Sequence, residues 1–85
     1  MNSRIEALRT RLAVLQPDLL DIRDDSAAHA GHAGAREGGH FHVTIRSARF
    51  VGLPPLQRHR LVYEAVGDLM GRGVHALSID ARLPA

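Results

Sequence analysis

The chemistry open to this chain rests on six histidines and no cysteine. Imidazole ligates transition metals when neutral and changes charge near neutral pH. His29 and His32 lie three residues apart in a segment of glycine and alanine. On a helix that spacing would put both on one face, but the glycine content argues against a stable helix. A flexible loop can bring either imidazole to a metal at an entropic cost, and the plain reading of the segment is a solvated loop. His75 opens a predicted strand, on the face of Leu77 and Ile79. The residues alone make it a half-buried histidine whose ring bonds a backbone carbonyl. His59 falls on the apolar stripe of a predicted helix, as a hydrogen-bonded core histidine that could support a neighbouring one. His40 and His42 read as surface positions.

A zinc site built from His29, His32, His75 and an aspartate is a competing metal chemistry, but no HExxH run or cysteine pair supports it. Ser26 and Ser47 have no companions for nucleophilic catalysis. Asp24 and Asp25 read as the end of a strand. No nucleophile, base and acid converge, so the expectation is a protein that is not an enzyme.

The second resource is arginine. All 11 basic residues are arginine, against 9 acidic ones, for a net charge of +2. The sequence pI of about 10.4 follows from the missing lysines rather than from a large positive charge. A lysine-free, arginine- and alanine-rich composition is also what a GC-rich genome produces. Arg58 and Arg60 flank His59 and suit phosphates or a partner's carboxylates, or else a solvated rim. Leu61 is expected on the exposed helix face beside them, where it can join a partner surface. Only three aromatics are present, Phe41, Phe50 and Tyr63, which leaves few stacking platforms for single strands. Gly31-x-x-Gly34 has the spacing of a backbone-clamping loop but lies between strands, the wrong place for one. DNA binding, if present, is expected to be weak, salt-sensitive, and carried by Arg46, Arg49, Arg58 and Arg60.

These residues must be held by a small scaffold. Eighty-five residues suit one domain with one modest core. No disulfide framework is available without cysteine. Apolar runs fall far short of the ~20 residues a membrane helix needs. No signal peptide is visible, and a cytoplasmic protein is expected. Ile5, Leu8, Leu12 and Leu15 recur at helical intervals behind Ser3 and Glu6, and Pro17 ends that helix near Gln16. Leu19 to Asp24 reads as a half-buried strand. From Asp25 to Gly39, five alanines and four glycines replace the pattern with a long flexible loop. His40 to Ser47 alternates, with Phe41, Val43 and Ile45 on one face. Pro54 and Pro55 suit the start of a second helix, whose expected core face is His59, Val62, Tyr63, Val66, Leu69 and Met70. Gly71 and Gly73 stop it, and Val74 to Asp80 is a last strand. The order α-β-β-α-β implies an α+β domain with a three-stranded mixed sheet and both helices on one face.

The runs His40-Phe41-x-Val43, Phe50-x-Gly52, Arg58-His59-Arg60-x-Val62-Tyr63 and Val74-His75-Ala76-Leu77 resemble the BolA family in order and spacing. The segment His29-Ala30-Gly31-His32-Ala33-Gly34 resembles its histidine-bearing subgroup. The resemblance covers nearly the whole chain. It implies a class II KH-like fold and two functional themes. One is pairing with a monothiol glutaredoxin around a shared [2Fe–2S] cluster. The other is DNA-binding transcriptional regulation. Carried over, the cluster ligands are His75 and His29, with His32 as the alternate loop ligand. Many relatives extend past the last strand, and the contacts of that tail cannot be carried over to a sequence given as far as Ala85. Clusters usually take cysteine thiolates, so the thiolates must come from a glutaredoxin cysteine and glutathione. Ligation needs neutral imidazole and should weaken below about pH 6.5. The resemblance also favours a monomer that forms heterodimers, with homodimers open.

Overall fold

The computed structural model describes residues 3–26 and 38–84. Helix α1 spans Ser3–Leu12 and tightens into a 3-10 turn over Ala13–Leu15. Its apolar stripe buries Leu8, Leu12 and Leu15. Ahead of Pro17, Gln16 takes the left-handed conformation with φ of 51°, so the helix stops where the proline predicts. Strand β1 follows at Leu19–Asp24, and β2 runs Gly38–Arg46. Helix α2 covers Pro55–Val66 and β3 covers Gly73–Arg82.

The sheet order is β1-β2-β3, with β1 antiparallel and β3 parallel to β2. That is the mixed α+β architecture the sequence predicts. Phe41, Val43 and Ile45 alternate into the core from β2, and Ile22 joins them from β1. Val62 and Val66 close the core from α2. The other side of β2 carries His40, His42, Thr44 and Arg46, all half-buried on the face away from the helices.

Three details differ from the sequence expectation. β2 begins at Gly38 rather than His40. α2 ends at Gly67 rather than Gly71, because Gly67 combines a φ of 59° with a ψ of −131°, a backbone conformation that essentially only glycine adopts. α2 is also rotated. Its inner face is Val62 and Val66 flanked by Leu61, Ala65 and Leu69, whereas Tyr63 is 42% exposed. Leu61 therefore packs against the core instead of standing on the outer face. The Tyr63 hydroxyl donates to the Leu77 carbonyl at 3.4 Å, which holds the ring at the rim.

Polar fasteners tie the pieces together. Ser47, 1% exposed, donates to the Leu15 carbonyl at 2.6 Å and accepts from the Arg49 amide at 3.0 Å. Arg11 donates to the Val66 carbonyl and to Asp68, at 3.1 and 2.7 Å, joining α1 to the end of α2. That guanidinium, with Arg72 adding a smaller pull, holds the Asp68 carboxyl below the usual carboxylate range.

Two predictions follow from this packing. A methyl group on Gly39 would stand against the Phe41 ring and 3.0 Å from the Ser26 hydroxyl. Gly39→Ala should cost about 1–3 kcal/mol in denaturant unfolding, the usual penalty of overpacking; an unchanged midpoint would refute the close contact. A depressed carboxylate stabilises the fold above its unfolded pKa, and that contribution disappears as pH falls through the lower folded value. Asp68→Asn should therefore be less stable than the wild type at neutral pH, and the gap should close below about pH 4. Melting curves that stay parallel down to pH 2 would disprove the role of this pair.

Candidate functional site

The site is created by a register shift. Gly39 pairs with Val74, and the next residue of β2, His40, pairs with Ala76. One step on β2 therefore spans two on β3, and His75 is the extra residue of a β-bulge. Bulges bend a strand and re-aim a side chain. Val74 points into the core before the shift, and Leu77, Ile79 and Ala81 pack against it afterwards. His75 is exposed. The expectation that it shares a face with Leu77 and Ile79 is corrected by the bulge, which breaks the two-residue period at this point.

β3 lies at the edge of the sheet, so a partner can approach His75 from the side. The chain enters this strand through Gly71 and Gly73, and Gly73 adopts a φ of 109°, a conformation other residues resist. Beside the entry, a cleft of about 230 Å³ is lined by Arg4, Arg72 and Val74 among others.

On the side of β2, the His75 ring faces that of His40. Their ring centroids are 5.2 Å apart, with planes at 45°. His40 is held firmly by its backbone. Its amide donates to the Ser26 hydroxyl at 3.0 Å, and its carbonyl accepts from the Asp25 amide at 2.7 Å. Ser26 is in turn anchored by its own amide on Asp24, at 2.8 Å. The Nε2 atom of His40 is buried. Among the described residues, no group of three or more His, Cys, Asp or Glu side chains is placed to hold a metal ion. Two imidazoles alone do not complete the four-ligand set of a tetrahedral metal.

The other predicted residues are distributed as follows. His29 and His32 lie outside the described residues, as does most of the expected loop 25–39. His59 is half-buried on α2. His42 contacts the Ser78 hydroxyl at 3.1 Å through Nδ1. Arg58 is structural in its contacts: it donates to the Leu53 and Ala81 carbonyls at 2.7 and 3.4 Å. Arg46 pairs with Asp18 at 2.9 Å on the face away from the helices, and Arg49 reaches the Gln16 side chain at 3.3 Å. Arg60 is exposed on α2. The arginines predicted to grip DNA thus do not share one face. Sequence reading treated His40 as a surface residue and missed its approach to His75. The signal, two adjacent glycines before His40 and two around Arg72, marks an irregular crossing but not its partner.

Comparison with known proteins agrees with this architecture. The family described as BolA-like protein matches residues 12–85. BolA-like protein 1 of Homo sapiens is 49% identical over 80 residues, 93% of this chain and 57% of that protein. The DNA-binding transcriptional regulator BolA of Vibrio cholerae is 41% identical over 64 residues, 75% of this chain and 58% of that protein. This chain thus spans little more than half the length of these relatives. Among solved structures, the BolA domain of SufE1 from Arabidopsis thaliana superposes with a TM-score of 0.86 at 41% identity, covering 99% of this chain and 95% of that one.

Proposed function

Because the chain belongs to the BolA-like family, we propose that it is an adaptor, not an enzyme, that pairs with a monothiol glutaredoxin and shares a [2Fe–2S] cluster as cargo. The observation that carries this reading is His75, exposed at a bulge on an edge strand, with a second imidazole 5.2 Å away. The donor set fits half a cluster. Imidazole ligands occur on one iron of a [2Fe–2S] centre when thiolates hold the other. This chain has no cysteine, so the thiolates come from the partner and its glutathione. Arg4 and Arg72 beside the cleft give cationic complements for glutathione carboxylates. A monomer that associates on demand suits an accessible edge, and no helix among the described residues is long and apolar enough to cross a membrane.

A second reading, DNA-binding regulation, is favoured by the name of the Vibrio cholerae relative. The near-balanced charge of +2 and the structural use of Arg46 and Arg58 make it the weaker of the two.

Mixing the chain with a cluster-loaded monothiol glutaredoxin should change the visible absorption and circular dichroism and give a complex on size exclusion. His75→Ala should abolish the spectral change. An unchanged spectrum with no complex rejects the adaptor reading. For DNA, duplex affinity should fall linearly on a log–log salt plot and drop in Arg60→Ala; salt-independent binding, or none at physiological salt, rejects the regulator reading.

A further inference from the structure

We propose that Arg58 and Tyr63 on α2 guard the outer edge of β3, and that without them this edge pairs with the β3 of a second copy of the chain. The proposal rests on the sheet and α2 alone and is independent of the cluster-sharing reading.

Among the described residues β3 is an outermost strand, and at Gly73–Arg82 it is longer than the other outer strand, β1. Such an edge offers a row of backbone donors and acceptors to any extended chain. One bond fixes the direction of that row. The amide of Ser47, just past the end of β2, donates to the Arg82 carbonyl at 3.3 Å, so that carbonyl faces β2. Peptide groups alternate in direction along a strand. In the regular stretch beyond the bulge, the amides and carbonyls of Leu77, Ile79 and Ala81 therefore face outward.

α2 reaches the first and last of those carbonyls. The Tyr63 hydroxyl donates to Leu77 and the Arg58 guanidinium to Ala81, each at 3.4 Å. Arg58 is itself anchored by a 2.7 Å bond from its Nε to the Leu53 carbonyl, which keeps its fork at the edge of the sheet.

The occupant these side chains exclude is a second copy. In an antiparallel pair centred on Ile79, Ile79 faces its own counterpart and Leu77 faces Ala81 of the other copy. Each such pair exchanges both of its backbone bonds. Every acceptor outside the Ile79 pair is then one that Tyr63 or Arg58 already engages. A carbonyl that has a donor gains less from a second one, and the incoming strand must share or displace a phenol and a guanidinium. The side chains themselves suit the pairing. On the core side it sets Leu77 opposite Ala81 and Ile79 opposite Ile79, all apolar. On the other side it sets Ser78 opposite Asp80 and Ala76 opposite Arg82, so no like charges stand directly opposite one another.

The test uses the full chain with three changes: Tyr63→Phe, which removes only the hydroxyl; Arg58→Met, which keeps an unbranched stem and removes the fork; and the two combined. Sedimentation velocity over a concentration series should give a monomer for the wild type and a concentration-dependent dimer for the double variant. In that dimer, amide hydrogen exchange at Leu77, Ile79 and Ala81 should slow by about tenfold relative to the dilute protein, while the amides of β1 keep their rates. If losing the Leu53 contact unfolds the Arg58 variants, Tyr63→Phe carries the test, and its outward β3 amides should slow as concentration rises. A folded double variant that stays monomeric throughout overturns the proposal, as does an unchanged Tyr63→Phe where it alone folds. Association that leaves those three amides unprotected also overturns it, and so does a wild-type chain that already pairs through them.

Discussion

The crossing of β2 and β3 at Gly39 and Val74 governs the rest of the molecule. A strand presents alternate residues to alternate faces, so a one-residue slip moves every later side chain to the other face. Val74 is 1% exposed, and Leu77, Ile79 and Ala81 all lean on the same core. A regular ladder starting from Val74 would turn Ser78 and Asp80 inward and those three apolar residues outward. One extra residue in β3 resolves the conflict, and that residue is His75. The partner strand is narrow there because the Phe41 ring occupies the space beside Gly39. Core packing therefore decides which residue is expelled, and the expelled residue is the exposed His75.

This constraint explains what was legible in the sequence. The alternation of Phe41, Val43 and Ile45 and the heptad-like spacing of Leu8, Leu12 and Leu15 are local, and both elements form as the periods demand. The bulge is not local. It needs Gly39 and Val74, which lie far apart in the chain, so a period of two read through His75, Leu77 and Ile79 gave the wrong face. The rotation of α2 has the same origin. Val62 and Val66 fit either of two overlapping stripes, and the edge of β3 selects between them by accepting the Tyr63 hydroxyl at Leu77. Proximity of His40 to His75 follows from the bulge and was hidden with it.

Arginine is the structural currency of the scaffold. Arg58 reaches two carbonyls that are distant from each other in sequence, and Arg11 bridges a carbonyl and a carboxylate. The guanidinium fork supplies several fixed donors at once, where an ammonium supplies a point charge. Arg46 and Arg82 pair with Asp18 and Asp80. Exposed pairs of this kind contribute little each, but they neutralise charge locally. A lysine-free composition thus yields a fastened surface rather than a polycationic one. Sequence alone cannot separate a fastening arginine from a ligand-gripping one, because the acceptors are backbone atoms set by the fold.

Two imidazoles without a thiolate define what the site can and cannot do. A chain with four cysteines could keep a cluster and become its resting place. This chain can satisfy one iron at most, so on the adaptor reading its hold on a cluster lasts only as long as the complex with the thiol-bearing partner. Replacing thiolate by neutral nitrogen also removes negative charge from the metal and raises the reduction potential relative to all-thiolate ligation. On that reading, association alters the redox behaviour of the cargo as well as its location. Edge placement suits that role, since an exposed ring on the outermost strand can meet a cluster held by another protein without the core opening.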